Sequence, residues 1–408
     1  MVEPRPAVRA ATPEDGHAIA DLLARAFEAP ASSAFLEPAL MRWKYVEARD
    51  DWREPRSYVI ARDGRVVAHA GLWPITVARA GQVLRGVHMI DWAADREQPG
   101  AGMAVLQRFT RMFDFVWAIG GSESTRQVLP AFGFKIVGQV WTAARPLRPL
   151  AQILSHPARN WKLAPRLARN WYWSVAPRVR VRAGCTAAPV TAASLPAEAA
   201  GFGDRPRAFF EYVLRCPGAG MRLYGLTSAA GPEGHMLMSF VQRQARIAGI
   251  WLRRPSAGNW RAAYVLAQTL AGDAAEIVTA GYSPLTAEAA TRVGFRHCTH
   301  APLFLFDKQG RLDPAEIEFR PRFLSLEFFH LGDRGFEEVL VRVAERAHLH
   351  SGNLHPVAVV LLPPAADAED CNVHPVVRPE DGPGGCRDRR GGDARGGFRA
   401  ALQEVAAV

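Results

Sequence analysis

This sequence predicts an α/β fold, a mixed α+β sheet arrangement in two repeats, and three observations predict it. Residues 7–144 order their segments as strand, two helices, three strands, helix, strand, helix, strand. From Met221 to Phe306 three strands, a helix, a strand, a helix and a strand recur in the same order. Near the end of each series a helix stops at Gly-Phe, in Ala131-Phe132-Gly133-Phe134-Lys135 and in Arg292-Val293-Gly294-Phe295-Arg296. An antiparallel meander followed by strand–turn–helix units calls for a mixed sheet with helices on both faces.

Each element has a local reason. Ala7 to Ala10 is a short strand; Thr12 then serves as an N-cap, Pro13 suits the first helical position and Asp15 lies three residues after the cap. Ile19, Leu22, Leu23, Ala26 and Phe27 recur at helical spacing, and a second helix runs from Pro38 to Ala48. Strands follow at Ser57–Arg62, Val66–Val77 and Val83–Ala93, separated by turns at Asp63-Gly64 and Ala80-Gly81. Asp-Gly is a strong hairpin signal, so these strands are antiparallel neighbours. A helix with Val105, Leu106, Phe109, Met112 and Phe113 on one face comes next. Then come a strand at Val116–Ile119, a helix at Ser122–Phe132 and a strand through Ala143.

The second series places strands at Met221–Thr227, His235–Gln242 and Ala245–Leu252, and a helix at Asn259–Ala271. A strand at Glu276–Ala280, a helix at Pro284–Val293 and a strand to Phe306 complete it. The expected organisation is therefore an N-terminal repeat over 1–146, a basic Trp/Arg-rich linker over 147–200 and a degenerate repeat over 201–332. An accessory helix and strand (333–362) and a disordered Gly-, Pro-, Asp- and Arg-rich tail (363–408) follow.

At 408 residues, 49% hydrophobic and 22% charged, the chain has the material for two or more cores. The opening residues lack a basic region followed by an apolar one, and Met103–Ile119 is interrupted by Arg108, Arg111 and Asp114, so a cytoplasmic protein is expected. The five cysteines are scattered and show no CxxC spacing, so no metal site or disulfide framework is expected. The net charge of +10 is concentrated: between Glu123 and Glu198 there is no Asp or Glu, and there are eleven Lys and Arg residues. Such a block attracts phosphate, whether on a nucleotide cofactor, an anionic lipid or a nucleic acid.

Between the third meander strand and the helix that follows lies Glu97-Gln98-Pro99-Gly100-Ala101-Gly102. Small residues at a helix N-terminus let the backbone approach a phosphate, and the unpaired N–H groups and helix dipole favour an anion there. With its surroundings over residues 7–144, this segment resembles the Q/R-x-x-G-x-G/A loop of the GNAT N-acetyltransferase superfamily, which binds the CoA pyrophosphate. The resemblance implies acyl-CoA, acetyl-CoA first, as co-substrate and no metal. It also implies a cofactor-binding set of Trp92, Ala93, Gln98, Gly100, Ala101, Gly102 and Met103. Glu97 stands where the family carries Gln or Arg, and Leu129 where many members carry a tyrosine that acts as general acid.

Acyl transfer to an amine needs a polarised thioester and a route for a proton. The strand His88-Met89-Ile90-Asp91-Trp92 offers His88 or Asp91 as base, and strict alternation puts these two on opposite faces. Glu123 opens a helix at the carboxyl end of a strand, where open α/β sheets place ligands. The second series lacks the loop, its junction reading Leu252-Arg253-Arg254-Pro255-Ser256-Ala257-Gly258-Asn259. The expected function is an N-acyltransferase acting on a primary amine of a small metabolite or cell-envelope precursor. The alternative is an inactive binding or scaffold protein of the same fold. In the linker, Trp161, Trp171 and Trp173 among arginines either pack a connecting helix between the repeats or meet the inner membrane face peripherally through 156–182. Nucleic acid is not expected as a partner.

Overall fold

The computed structural model describes residues 7–79, 82–154, 163–175, 184–195 and 207–312. The Ala80-Gly81 turn, Trp161 and the expected elements beyond residue 312 lie outside them. The first half contains β1 (Arg9–Ala10), α1 (Gly16–Ala26), α2 (Pro38–Tyr45), β2 (Ser57–Arg62), β3 (Arg65–Arg79) and β4 (Gln82–Ala94). It continues with α3 (Ala101–Met112), β5 (Phe115–Ile119), α4 (Glu123–Ala131) and β6 (Lys135–Pro146). Two helices, α5 (Pro149–Leu154) and α6 (Leu163–Val175), precede the second half. That half comprises β7 (Thr186–Pro189), α7 (Arg207–Leu214), β8 (Arg222–Ser228), β9 (Gly231–Val241), β10 (Gln244–Leu252), α8 (Ala257–Leu270), β11 (Glu276–Gly281), α9 (Pro284–Arg292) and β12 (Arg296–Asp307). Both α7 and β7 escaped the sequence reading.

The meander forms as its turn chemistry requires. Asp63 and Gly64 both take positive φ, 50° and 75°, the conformation of the tight turn that matches strand twist. β3 pairs with β2 and β4 in antiparallel register, and β4 pairs with β5 in parallel. All the described strands form one twelve-stranded sheet in the order β1-β2-β3-β4-β5-β12-β6-β11-β10-β9-β8-β7.

The halves are joined by an exchange of their last strands. β12, from the second half, lies antiparallel beside β5 of the first, with Leu303 opposite Ile119. β6, from the first half, lies antiparallel beside β11 of the second, with Thr279 opposite Ala143, and β6 and β12 pair with each other. Glycines make room for large rings at this seam: a Cβ on Gly138 would lie 2.4 Å from the Tyr282 ring, and one on Gly281 2.4 Å from Trp141. Tyr282 Oη also donates to the Val137 carbonyl, at 2.7 Å.

Three hydrophobic cores cover the sheet. One includes residues of α1, α2 and α7, so it belongs to both halves. Trp43 of α2 stacks on Tyr212 of α7 with centroids 4.8 Å apart, and its Nε1 donates to the Tyr212 carbonyl. The other two lie under α3 and α4 and under α8 and α9. Shared strands and a shared core make the halves energetically one unit. Heating or urea is expected to unfold residues 7–312 in one transition seen alike by calorimetry and circular dichroism; two separated transitions, one per half, would contradict the exchange.

Candidate active site

β4 and β5 are paired only from Gly86–His88 to Phe115–Trp117, although β4 continues to Ala94 and β5 to Ile119. Beyond His88 the two parallel strands part, and this stretch of β4 pairs with β3 alone. A helix follows each strand, α3 after β4 and α4 after β5, so both helix N-termini stand at the sheet end where the strands separate. Open α/β sheets place ligands at the carboxyl ends of their strands.

The two helix starts differ in chemistry. Ser122 caps α4, its Oγ accepting from the Thr125 N–H at 3.2 Å. At α3 the capping position is Gly100, in the left-handed conformation with φ 84°, and no side chain caps the helix. A Cβ at Gly100 would meet nothing within 4 Å, so the backbone there is open to a ligand. Gly102 also serves packing: its Cβ would sit 3.1 Å from that of Ala94 and 3.3 Å from Trp92 Nε1. It lets α3 lie against the end of β4, where Trp92 Nε1 donates to the Gly102 carbonyl at 3.1 Å. The equivalent helix in the second half is closed, since Ser256 Oγ accepts from the Asn259 N–H at 3.2 Å.

Basic side chains border the loop before α3. Arg62 donates to the Gln98 side chain; Arg65 and Arg25 lie 2.8 and 3.8 Å from Asp95. Arg96 turns to Glu28, at 3.9 Å, while Glu97 is exposed. Arg62 and Arg65 were not anticipated, because they flank the β2–β3 turn and reach the loop only through the sheet. Gln98 and Met103 are half-buried, and Ala101 and Ala93 are buried. An uncapped helix start with neighbouring cations fits a diphosphate. The separated edge of β4 offers peptide groups to a ligand carrying amides, so the residues present fit an acyl-CoA.

The strand alternation expected around Asp91 is overturned. Asp91 has φ 48°, and the β3–β4 register slips between His69–Ala93 and Gly71–Ile90, a bulge in mid-strand. Ile90 and Ala93 consequently share one face, the face of α1 and α2, and Asp91 turns to it as well. His88 and Asp91 are therefore on the same side. Asp91 is only 9% exposed. Its Oδ2 lies 2.6 Å from Lys44 Nζ and accepts from Tyr45 Oη at 2.5 Å. Burial, with the charge of Asp91, pushes the Tyr45 hydroxyl well above its ordinary pKa. His69 Nδ1 lies 3.0 Å from the Asp91 carbonyl, and its Nε2 3.0 Å from Ser57 Oγ.

His88 is buried between Trp73 of β3 and Trp117 of β5, and burial lowers its pKa to about 4. Glu123 is exposed in the first turn of α4. Of the three expected acid–base residues, it alone faces solvent. Leu129 is buried in the core beneath α3 and α4. Among the described residues no cluster of three His, Cys, Asp or Glu is arranged to hold a metal, and no helix is long and apolar enough to cross a membrane.

No family model and no curated protein matches the sequence. Solved structures do match. A GCN5-related N-acetyltransferase from Anabaena variabilis has a TM-score of 0.50 at 12% identity, over 75% of this chain and 73% of that one. An N-myristoyltransferase from Saccharomyces cerevisiae, solved with bound myristoyl-CoA, has a TM-score of 0.50 at 9% identity, over 75% and 80%. The chain thus has the fold of the GNAT acyltransferases.

Two predictions test the site. Asp91→Ala leaves the Lys44 cation buried without its counter-charge, a loss of about 3–5 kcal/mol that urea unfolding would read; adding Lys44→Met should restore much of it. A loss under about 1 kcal/mol would place the pair outside the structural framework. Secondly, His69 and His88 are both held near pKa 4, below the 6.5 of an exposed imidazole. The unfolded chain takes up these protons first, so stability is full above about pH 6.5 and falls as pH drops toward 4. His88→Gln should show a smaller decline in urea midpoint between pH 7 and pH 5 than the parent; an equal decline would contradict a buried neutral His88.

Proposed function

We propose that this chain is an N-acyltransferase that moves an acyl group, acetyl in the simplest case, from CoA to a primary amine of a small metabolite or cell-envelope precursor. The observation that carries this reading is the uncapped α3 N-terminus beside the parted edge of β4. The N–H groups of Gly102 and Met103, with no carbonyl one turn below, would hold the pyrophosphate, assisted by Gln98 and Arg62. The amides of the pantetheine arm would pair with β4 between Met89 and Ala93, bringing the thioester to the Asp91 bulge. There an N–H released from the ladder by the bulge would polarise its carbonyl.

The amine nitrogen then attacks the carbonyl carbon, the carbon–sulfur bond breaks and CoA leaves as thiolate. Glu123 takes the proton of the attacking amine. Thiols have a pKa of about 8.5, so a thiolate departs without an acid, and the apolar Leu129 is compatible with that. Asp91, ion-paired to Lys44, holds the bulge in shape. His88, neutral and buried, supports the strands at the point where they part. A second reading, ligand binding without turnover, is favoured by the engagement of Asp91 and the absence of a hydroxyl at Leu129.

Calorimetric titration with acetyl-CoA should give one site. Gly102→Val, which pushes α3 off Trp92 and Ala94, should weaken it beyond a Kd of about 1 mM. Gly258→Val should leave it intact, since the nearest atom to a Cβ there is Ser256 Oγ at 3.9 Å. No binding by the parent chain at about 1 mM ligand would overturn the enzyme reading, and equal loss in both variants would place the site wrongly. Release of free thiol with an amine acceptor distinguishes turnover from binding.

A further inference from the structure

Helix α6 buries a polar side chain and leaves two aromatic ones outside. A surface helix normally turns its apolar stripe inward. In α6 Asn170 is buried, 2% exposed, and the Ser174 carbonyl accepts from Arg145 Nη2 of β6 at 3.0 Å. The outward residues include Ala164, Ala168, Trp171 and Tyr172, which fall within about 100° of one another around the helix axis. Trp171 is 63% exposed and Tyr172 57%. Burial of the tryptophans between the halves, one of the two outcomes expected from sequence, therefore fails for Trp171. Trp173 is half-buried, with the Arg169 guanidinium 4.5 Å from its ring centroid. On the adjoining α5, Leu150 is also exposed.

Charge selects what covers this face. Arg166 and Arg169 are in the helix, and the whole interval between Glu123 and Glu198 is free of acidic residues. Two copies of a helix that carries arginine and no acidic residue repel each other, which disfavours self-association through it. Tryptophan and tyrosine on an apolar strip flanked by arginine suit the headgroup layer of a bilayer, where rings sit at the boundary and cations meet lipid phosphates. We infer that the outer face of α6 docks on an anionic membrane surface, with Trp171 and Tyr172 entering the interface. Anchored to β6 through Arg145, the helix would hold the sheet at the bilayer, where lipid-linked amines are presented.

Co-sedimentation of the full chain with vesicles tests this directly. Vesicles of phosphatidylcholine with about a third phosphatidylglycerol should carry down at least about tenfold more protein than pure phosphatidylcholine, and salt of about 1 M should release it. The double variant Trp171→Ser, Tyr172→Ser should lose the binding while keeping the parent's melting temperature and acetyl-CoA titration. Because that titration reads the acyltransferase site independently, failure at the membrane is distinguishable from failure of the enzyme reading. Equal sedimentation with both vesicles, none with either, or undiminished binding by the variant would overturn the proposal. So would a concentration-dependent dimer abolished by the same two substitutions, which would make this face a contact between copies.

Discussion

Everything in this molecule depends on the pairing at the centre of its sheet. With β12 set beside β5 and β6 beside β11, neither half closes its own sheet, and each completes the other. The consequence reaches the site. β5 is held on its far side by β12, over Leu303 to Asp307, and so keeps its place while β4 turns away after His88. A cleft between adjacent parallel strands would ordinarily cost a row of ladder hydrogen bonds. Here the loss falls on the facing edges of β4 beyond His88 and of β5 at Ala118 and Ile119, while β3 and β12 hold the opposite edges.

The second constraint is electrostatic. Asp91 is a charged residue in positive φ, in mid-strand and almost buried, three features each unfavourable alone. Lys44 and Tyr45 from α2 offset them by meeting the carboxylate directly, and His69 meets the same residue's carbonyl. α2 in turn is fixed by the second half, through the stacking of Trp43 on Tyr212 and through Arg56, in the loop before β2, whose Nη1 donates both to the Lys44 carbonyl and to Tyr212 Oη, each at 2.7 Å. The second half thereby supports the geometry of the first, while Ser256 closes its own helix start.

Much of this was legible in the sequence, and the rest was hidden for physical reasons. The meander, the helices α3 and α4 and the Gly-Phe starts of β6 and β12 follow from periodicity and turn chemistry, which are local. The bulge at Asp91 leaves no such trace, because one non-glycine residue in the left-handed region reverses the alternation without altering composition. The strand exchange was invisible for another reason: β6 and β12 are both strands in any pairing, and the choice of neighbour rests on long-range contacts such as Tyr282 against Gly138. The packing of Gly102 against Trp92 and Ala94 could not be told from phosphate approach in the sequence, since both ask for a glycine. Arg62 and Arg65 went unnoticed because the sheet, and not the chain, brings them to the loop.

In the proposed function acyl-CoA enters one half only, between β4 and the open N-terminus of α3. Amide hydrogen exchange of the full chain with and without acetyl-CoA measures it most directly. Slowed exchange is expected within residues 89–103 and unchanged exchange within the corresponding 247–259. Protection of 247–259, or of neither segment at saturating ligand, would contradict it.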